Sequence, residues 1–265
     1  MTRLLLALLA LAALCAGCGG GSSAATGSAH PDTTATPARG ACRDLTRAEL
    51  ARTSNASPTV DCASPHTAAT YAAGSLPERF DEAGRDDTEL ADWAYQRCTT
   101  TLQRHLGTDQ STTMRSLFSW VWFRPSTAAW DAGARWYRCD LVAGGNGMAY
   151  VDLPTKTTNL LRGPSVDDDW MVCARGGRLG QARVACSQNH AWRAVTTVKV
   201  GEPSDSYPGD ADVEDTSSRY CSESVKAWLH YPAQFSSADY AYTWFGETEW
   251  RAGNRLSVCW ARTAE

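Results

Sequence analysis

Ten cysteines in 265 residues constrain this chain more than any other feature. Eight of them form two sets of four. Cys42, Cys62, Cys98 and Cys139 are separated by 20, 36 and 41 residues, and Cys173, Cys186, Cys221 and Cys259 by 13, 35 and 38. Other rare residues recur with them. Val60-Asp61-Cys62 and His66 match Val184-Ala185-Cys186 and His190. Trp122-Phe123 matches Trp244-Phe245, and Trp130, Gly133 and Cys139 match Trp250, Gly253 and Cys259 at identical internal spacing. The offset is 124 residues at Cys62, 123 at Cys98 and 120 at Cys139. So many coincidences of Cys, Trp, Gly and His identify an internal duplication with a period too long for a solenoid repeat.

Each copy is small enough that its apolar core alone is marginal, so covalent staples are expected. An even number of cysteines in an exported chain points to disulfides, although four cysteines allow three pairings per copy. Cys42–Cys62 with Cys98–Cys139, and Cys173–Cys186 with Cys221–Cys259, are the favoured pairings. The first bond of each set would clip adjacent strands and the second would tie a helix to the last strand. Such local clips tolerate the unequal gaps of 20 and 13 residues. No two of these cysteines have the short spacing of a zinc site, so no metal is expected.

Export is read from the first residues. Arg3 precedes an unbroken Leu/Ala run from Leu4 to Leu14, too short to span a bilayer but suited to a signal peptide. The run leads to Cys15-Ala16-Gly17-Cys18, which is similar to a bacterial lipobox and makes Cys18 the expected lipidation site. An ordinary cleaved signal is the alternative. Residues 1–17 are assigned to the signal and 18–40 to a tether of Gly, Ser, Ala, Thr and Pro that cannot form a core. Such a coil has a typical span of ~25 Å. Residues 41–164 and 165–265 are the two copies.

The fold class expected is α+β: in each copy, a small, mainly antiparallel sheet packed on one helix. Asp86 or Asp87 is placed to cap a helix running to His105, with Leu90, Ala94, Cys98 and Leu102 on one face and Gly107 ending it. In the second copy Asp212 to Asp215 lead into a helix carrying Cys221, Val225 and Leu229 on one face, with Pro232 beyond. Strands are expected over residues 67–73, 115–123, 135–142, 192–200, 240–245 and 255–261, short runs rich in aromatic and β-branched residues.

At Cys62-Ala-Ser-Pro65-His66, Cys98, Pro125 to Trp130 and Gly133, and Cys139, the chain resembles the septum-formation-related domain of actinobacterial envelope proteins. The second copy is looser, with Asn189 in place of Pro65 and Gly246 where Pro125 stands. The resemblance implies an extracytoplasmic location and a link to cell division or envelope assembly, and it supplies no catalytic residues.

His66 and His190 are the candidates for metal ligation or base catalysis, against a structural reading in which each ring bonds a backbone carbonyl. Trp130 and Trp250 read as core. Trp93, Trp136, Trp192 and Trp228, which the copies do not share, are the candidate partner-binding residues. The runs Asp167–Asp169 and Asp205–Asp215 lack the glycine of a calcium loop. Loss of Arg3 leaves 24 basic and 29 acidic residues, a charge of −5 without a basic cluster, which argues against nucleic acid. No hydrolase elbow, zincin helix or P-loop is present, and no cofactor is implied. The expected function is a non-enzymatic lipoprotein that binds an envelope protein or cell-wall glycan. A wall-active hydrolase or transferase of unrecognised type is the alternative.

Overall fold

The structure, a computed structural model, describes residues 34–145, 147–177, 179, 182–231 and 239–263. The signal 1–17, Cys18, most of the tether and Pro232 lie outside them.

The first copy runs β1 (Cys42–Arg43), α1 (Arg47–Leu50), β2 (Ala68–Ser75), α2 (Thr88–Leu106), α3 (Gln110–Met114), β3 (Phe118–Phe123), α4 (Thr127–Asp131), β4 (Trp136–Gly145) and β5 (Met148–Val151). The second runs β6 (Val172–Ala174), β7 (Arg183–Ala185), β8 (Trp192–Lys199), α5 (Asp210–Trp228), β9 (Tyr240–Thr243), α6 (Glu247–Arg251) and β10 (Leu256–Arg262). Both sheets are antiparallel. Their orders are β1-β2-β4-β3, with β5 added to β4, and β7-β6-β8-β10-β9.

Superposed by sequence, β1, β2, β4 and β3 correspond to β6, β8, β10 and β9. The match extends to irregularities. Cys42 bridges Val60 as Cys173 pairs with Val184. The register shifts between Thr70 and Ala72 on β2 and between Thr196 and Ala194 on β8, so Tyr71 and Val195 are equivalent bulged residues. Ala72 faces Cys139 and Thr196 faces Cys259. A bulge inserts one residue and increases the local twist, which helps a small sheet wrap a helix.

The long helices are set by their caps. Asp87 accepts a hydrogen bond from the Glu89 amide, and Gly107 closes α2 in the left-handed region at φ 74°. Leu90, Ala94, Cys98, Leu102 and Leu106 form its buried stripe. α5 begins earlier than the acidic lead-in suggested: Asp212 to Asp215 lie inside it, where the first-turn carboxylates of Asp210 and Asp212 suit the positive end of the helix dipole. All four favoured disulfides are present: Cys42–Cys62, Cys98–Cys139, Cys173–Cys186 and Cys221–Cys259.

Alternation along β4 and β10 separates two faces. Tyr137, Cys139, Leu141 and Ala143 face α2, as Cys259 and Ala261 face α5. The opposite faces are covered differently. In the first copy the 44–58 segment supplies the cover. Leu45 and Leu50 pack with Phe123, Trp136 and Val142. Asn55 accepts from Arg138, 3.1 Å away. Here the face is partly ionic. Arg138 lies 3.0 Å from Asp140 in ion-pair contact, Thr70 donates to Asp140 at 2.7 Å, and Arg43 donates to Thr70 at 2.9 Å.

In the second copy the corresponding positions are Val258 for Arg138, Trp260 for Asp140, Ala194 for Thr70 and Ala174 for Arg43. This face is apolar, and of the shorter loop that stands in place of the 44–58 segment only Leu179, among the described residues, packs on it. Leu117, Met114 and Met148 of the first copy pack against it instead. Hydrogen bonds fix the junction: the Leu117 amide donates to the Trp170 carbonyl at 2.8 Å, and the Val172 amide to that of Arg115 at 2.9 Å. The Arg115 guanidinium donates to the Val195 carbonyl at 3.2 Å.

Candidate functional site

The residues shared by both copies form structure. Trp130 and Trp250 lie in α4 and α6 and are buried. A residue not singled out from sequence explains them. Arg135 lies 4.2 Å above the Trp130 ring and donates to the Trp130 and Ala134 carbonyls. Arg255 lies 3.6 Å above Trp250 and donates to the Trp250 and Asn254 carbonyls. Each guanidinium therefore adds a hydrogen bond to a tryptophan carbonyl that already accepts from the Gly133 or Gly253 amide, while these glycines turn the chain at φ 91° and 103°. The signal was an arginine five residues after each tryptophan. Arg135→Met is expected to cost about 2 kcal/mol through lost carbonyl hydrogen bonds and the cation–π contact. The check is denaturant unfolding of the full chain. Arg135→Lys should recover less than half, because Lys lacks the planar fork.

Gly246 caps α6 at the position where Ser126 caps α4, so it replaces Ser126 rather than Pro125. Glu249 supplies what glycine lacks by accepting from the Gly246 amide at 3.2 Å. His66 and His190 repeat one arrangement. Nδ1 of each donates to the carbonyl two residues earlier, Ser64 at 2.8 Å and Gln188 at 2.7 Å. His66 is buried, and among the described residues no three His, Cys, Asp or Glu side chains converge as a metal site would need. The acidic runs have structural partners: Asp168 pairs with Arg193, and Asp167 accepts from the Asp169 amide. The Arg193 hydrogen bonds hold the Asp168 carboxyl below the usual carboxylate range.

The candidate partner-binding tryptophans need correction. Trp136 and Trp192 are only 1% and 6% exposed, sealed into the two sheet faces described above. Trp192 also donates to the Gly176 carbonyl at 3.1 Å. Trp93 is half-buried and packs against Phe80 and Tyr137. Trp228, 41% exposed at the end of α5, is the one of the four with an open ring.

A different place emerges where the copies meet. Between α2, α3 and β3 of the first copy and β7, α6 and β10 of the second lies a cleft of about 540 Å³. Tyr95 and Trp120 meet edge-to-face at 5.3 Å on one side, and Trp244, 38% exposed, stands on the other. Gln103 and Gln110 add uncharged polar groups, and Arg183 and Glu249 are the charged side chains on the walls. Burial, with the Glu249 charge from across the cleft, pushes the Tyr95 phenol up, away from ionisation. Sequence reasoning missed this site because its walls come from opposite sides of the two copies.

No helix among the described residues is long and apolar enough to cross a membrane. The family model described as "Septum formation" matches residues 14–123 and 85–259, two overlapping regions that agree with a domain present twice. No curated protein and no solved structure matches the chain. Four disulfides together with this domain indicate an extracytoplasmic location. With a family match extending over most of its length, the chain belongs to the septum-formation family.

Proposed function

We propose that this protein is a non-catalytic envelope factor that serves septum formation or envelope assembly by holding a partner in the cleft between its copies. The observation that carries this reading is the origin of the cleft walls. They come from both copies, and although Trp244 is shared as Trp122, other wall positions differ between the copies: Trp120 corresponds to Tyr242, Gln103 to Lys226 and Arg183 to Thr59. The site is a product of the tandem, absent from either copy alone. Its aromatic and amide lining supports binding rather than acid–base chemistry, and its one carboxylate, Glu249, is engaged at the α6 cap. Lipid on Cys18 holds the pair at the outer face of the cytoplasmic membrane, and the tether gives it reach.

The test is genetic and local. Cells lacking the protein are expected to place or complete septa abnormally. The wild-type gene should restore them, and Ser119→Trp, which fills the cleft, should not. A photo-crosslinking residue at Gln110 should capture an envelope component, and one at Tyr220, on the exposed side of α5, should not. Normal septa without the protein, or full rescue by an equally abundant Ser119→Trp protein, would sink the proposal.

A further inference from the structure

The cleft carries a more specific chemical signature. Arg183 lies on β7 with its guanidinium 5.5 Å from the Trp260 ring centroid. Burial lowers the affinity of this guanidinium for its proton, and no neighbouring carboxylate acts to raise it. Among the described residues it makes no ion pair. Of the other arginines over aromatic rings, Arg135 and Arg255 are anchored on carbonyls, Arg138 on Asp140 and Asn55, and Arg124 on Asp86, while Arg79, Arg219 and Arg262 are exposed to solvent. Arg183 is thus a partly desolvated cation, held by one ring and facing a cavity.

Two further features surround it. The side-chain amides of Gln103 and Gln110 make no hydrogen bond within the described residues, and each offers a donor and an acceptor side by side. Adjacent hydroxyls of a pyranose present that same pair of roles. Tyr95, Trp120 and Trp244 provide flat apolar surface of the kind that sugar C–H faces cover. The volume lies within the range of small-molecule sites, roughly 300–1,000 Å³.

We infer that the cleft between the copies binds a saccharide bearing an acidic group, with Arg183 on the acid, Gln103 and Gln110 on hydroxyls, and the aromatic walls against the ring. This inference rests on the reading of the cleft as the recognition site. A carboxylate on Arg183 restores the charge balance lost on burial, and such charge-assisted bonds are stronger than neutral ones.

The experiment is calorimetric titration of the full-length protein in detergent with N-acetylmuramic acid, its neutral counterpart N-acetylglucosamine, and the dipeptide Ala-Glu. The acidic sugar should bind about tenfold tighter than the neutral one, the scale of one charge-assisted hydrogen bond. Arg183→Gln should erase that preference by weakening the acidic sugar about tenfold more than the neutral one, and Arg183→Lys should retain part of it. Gln110→Ala should weaken both sugars. Matching near-UV circular dichroism will establish that each variant is folded. Absence of binding by either sugar, equal binding of both, or equally tight binding of the dipeptide overturns the inference. If the sugars fail while crosslinking from Gln110 still captures a partner, the ligand class falls and the recognition site stands. If both fail, both readings fall.

Discussion

Residues 165–265, produced without the first copy and with both disulfides formed, are expected to self-associate and bind hydrophobic dyes. The reason is the bare face of the second sheet. Val172, Ala174, Ala194, Val258 and Trp260 form an apolar surface with Trp192, and Leu117, Met114 and Met148 of the first copy pack on it. A large aromatic side chain buries roughly 150–250 Å². Partial uncovering of Trp192 and Trp260 together with the aliphatic positions approaches the few-hundred-Å² patch that monomeric proteins avoid. Disulfides do not help, because Cys173–Cys186 and Cys221–Cys259 constrain the unfolded chain without covering this face. The reciprocal fragment, residues 34–171, is expected to stay monomeric, since its own 44–58 segment covers its sheet and Trp170 still stacks on Phe118. Size-exclusion chromatography and dye fluorescence decide the matter. A monomeric second copy with native near-UV circular dichroism would refute the account of the junction. Within the full chain, Leu117→Ala should cost about 2–5 kcal/mol, as for other buried leucines.

The second large effect lies under the 44–58 segment. Asp140→Asn is expected to destabilise the protein by about 3–5 kcal/mol, the cost of leaving buried charge uncompensated. For a chain of this size that lowers Tm by on the order of 10 °C. Asp140 is the one carboxylate of a buried group with two guanidiniums, Arg138 in direct contact and Arg43 linked through Thr70. Burial pulls the Arg43 guanidinium down from its ordinary value, and Asp140 opposes this. Removing the carboxylate strands both cations. Arg138→Met should cost less, because Arg43 and Asp140 still balance through Thr70. Guanidinium chloride unfolding of the two variants checks the order. A cost for Asp140→Asn within about 1 kcal/mol of zero, or smaller than that of Arg138→Met, would show that the network does not depend on its anion.

Most of the scaffold was visible in the chain because its determinants are local. The strand expected over 192–200 is β8, Trp192–Lys199, and the helix expected to end at Gly107 does so. Residues 115–117, expected in a strand, instead leave the sheet to join the copies through the Ser116–Met171 bridge. Short elements escaped. β1 and α4 hold two and five residues, and such pieces persist through tertiary packing and caps, not propensity. The tryptophans show where local reasoning stops. Alternation places Trp136 with Arg138 and Asp140 on one face of β4, yet nothing in β4 says whether water or protein lies beyond it. The answer sits in Leu45, Leu50 and Asn55, some 90 residues earlier. The unequal cysteine gaps of 20 and 13 residues were the trace of that layer in the sequence, read only as a loop difference. The cleft was further from view, since Arg183 and Gln110 come to line one cavity only once two chain segments dock.

The 44–58 segment also gives the tandem a direction. Repeats that stack through identical faces can be lengthened at either end, and natural arrays need terminal caps to stop growing. Here the first copy carries such a stopper within itself: Leu45, Leu50 and Asn55 fill the site at which an upstream copy would dock. The pair is consequently polarised, one member self-sealed and lending its flank, the other receiving. Exchanging the two in order, or deleting 44–58, would change which surfaces are available for assembly before altering either sheet. Duplication thus produced a host and a guest rather than two equals.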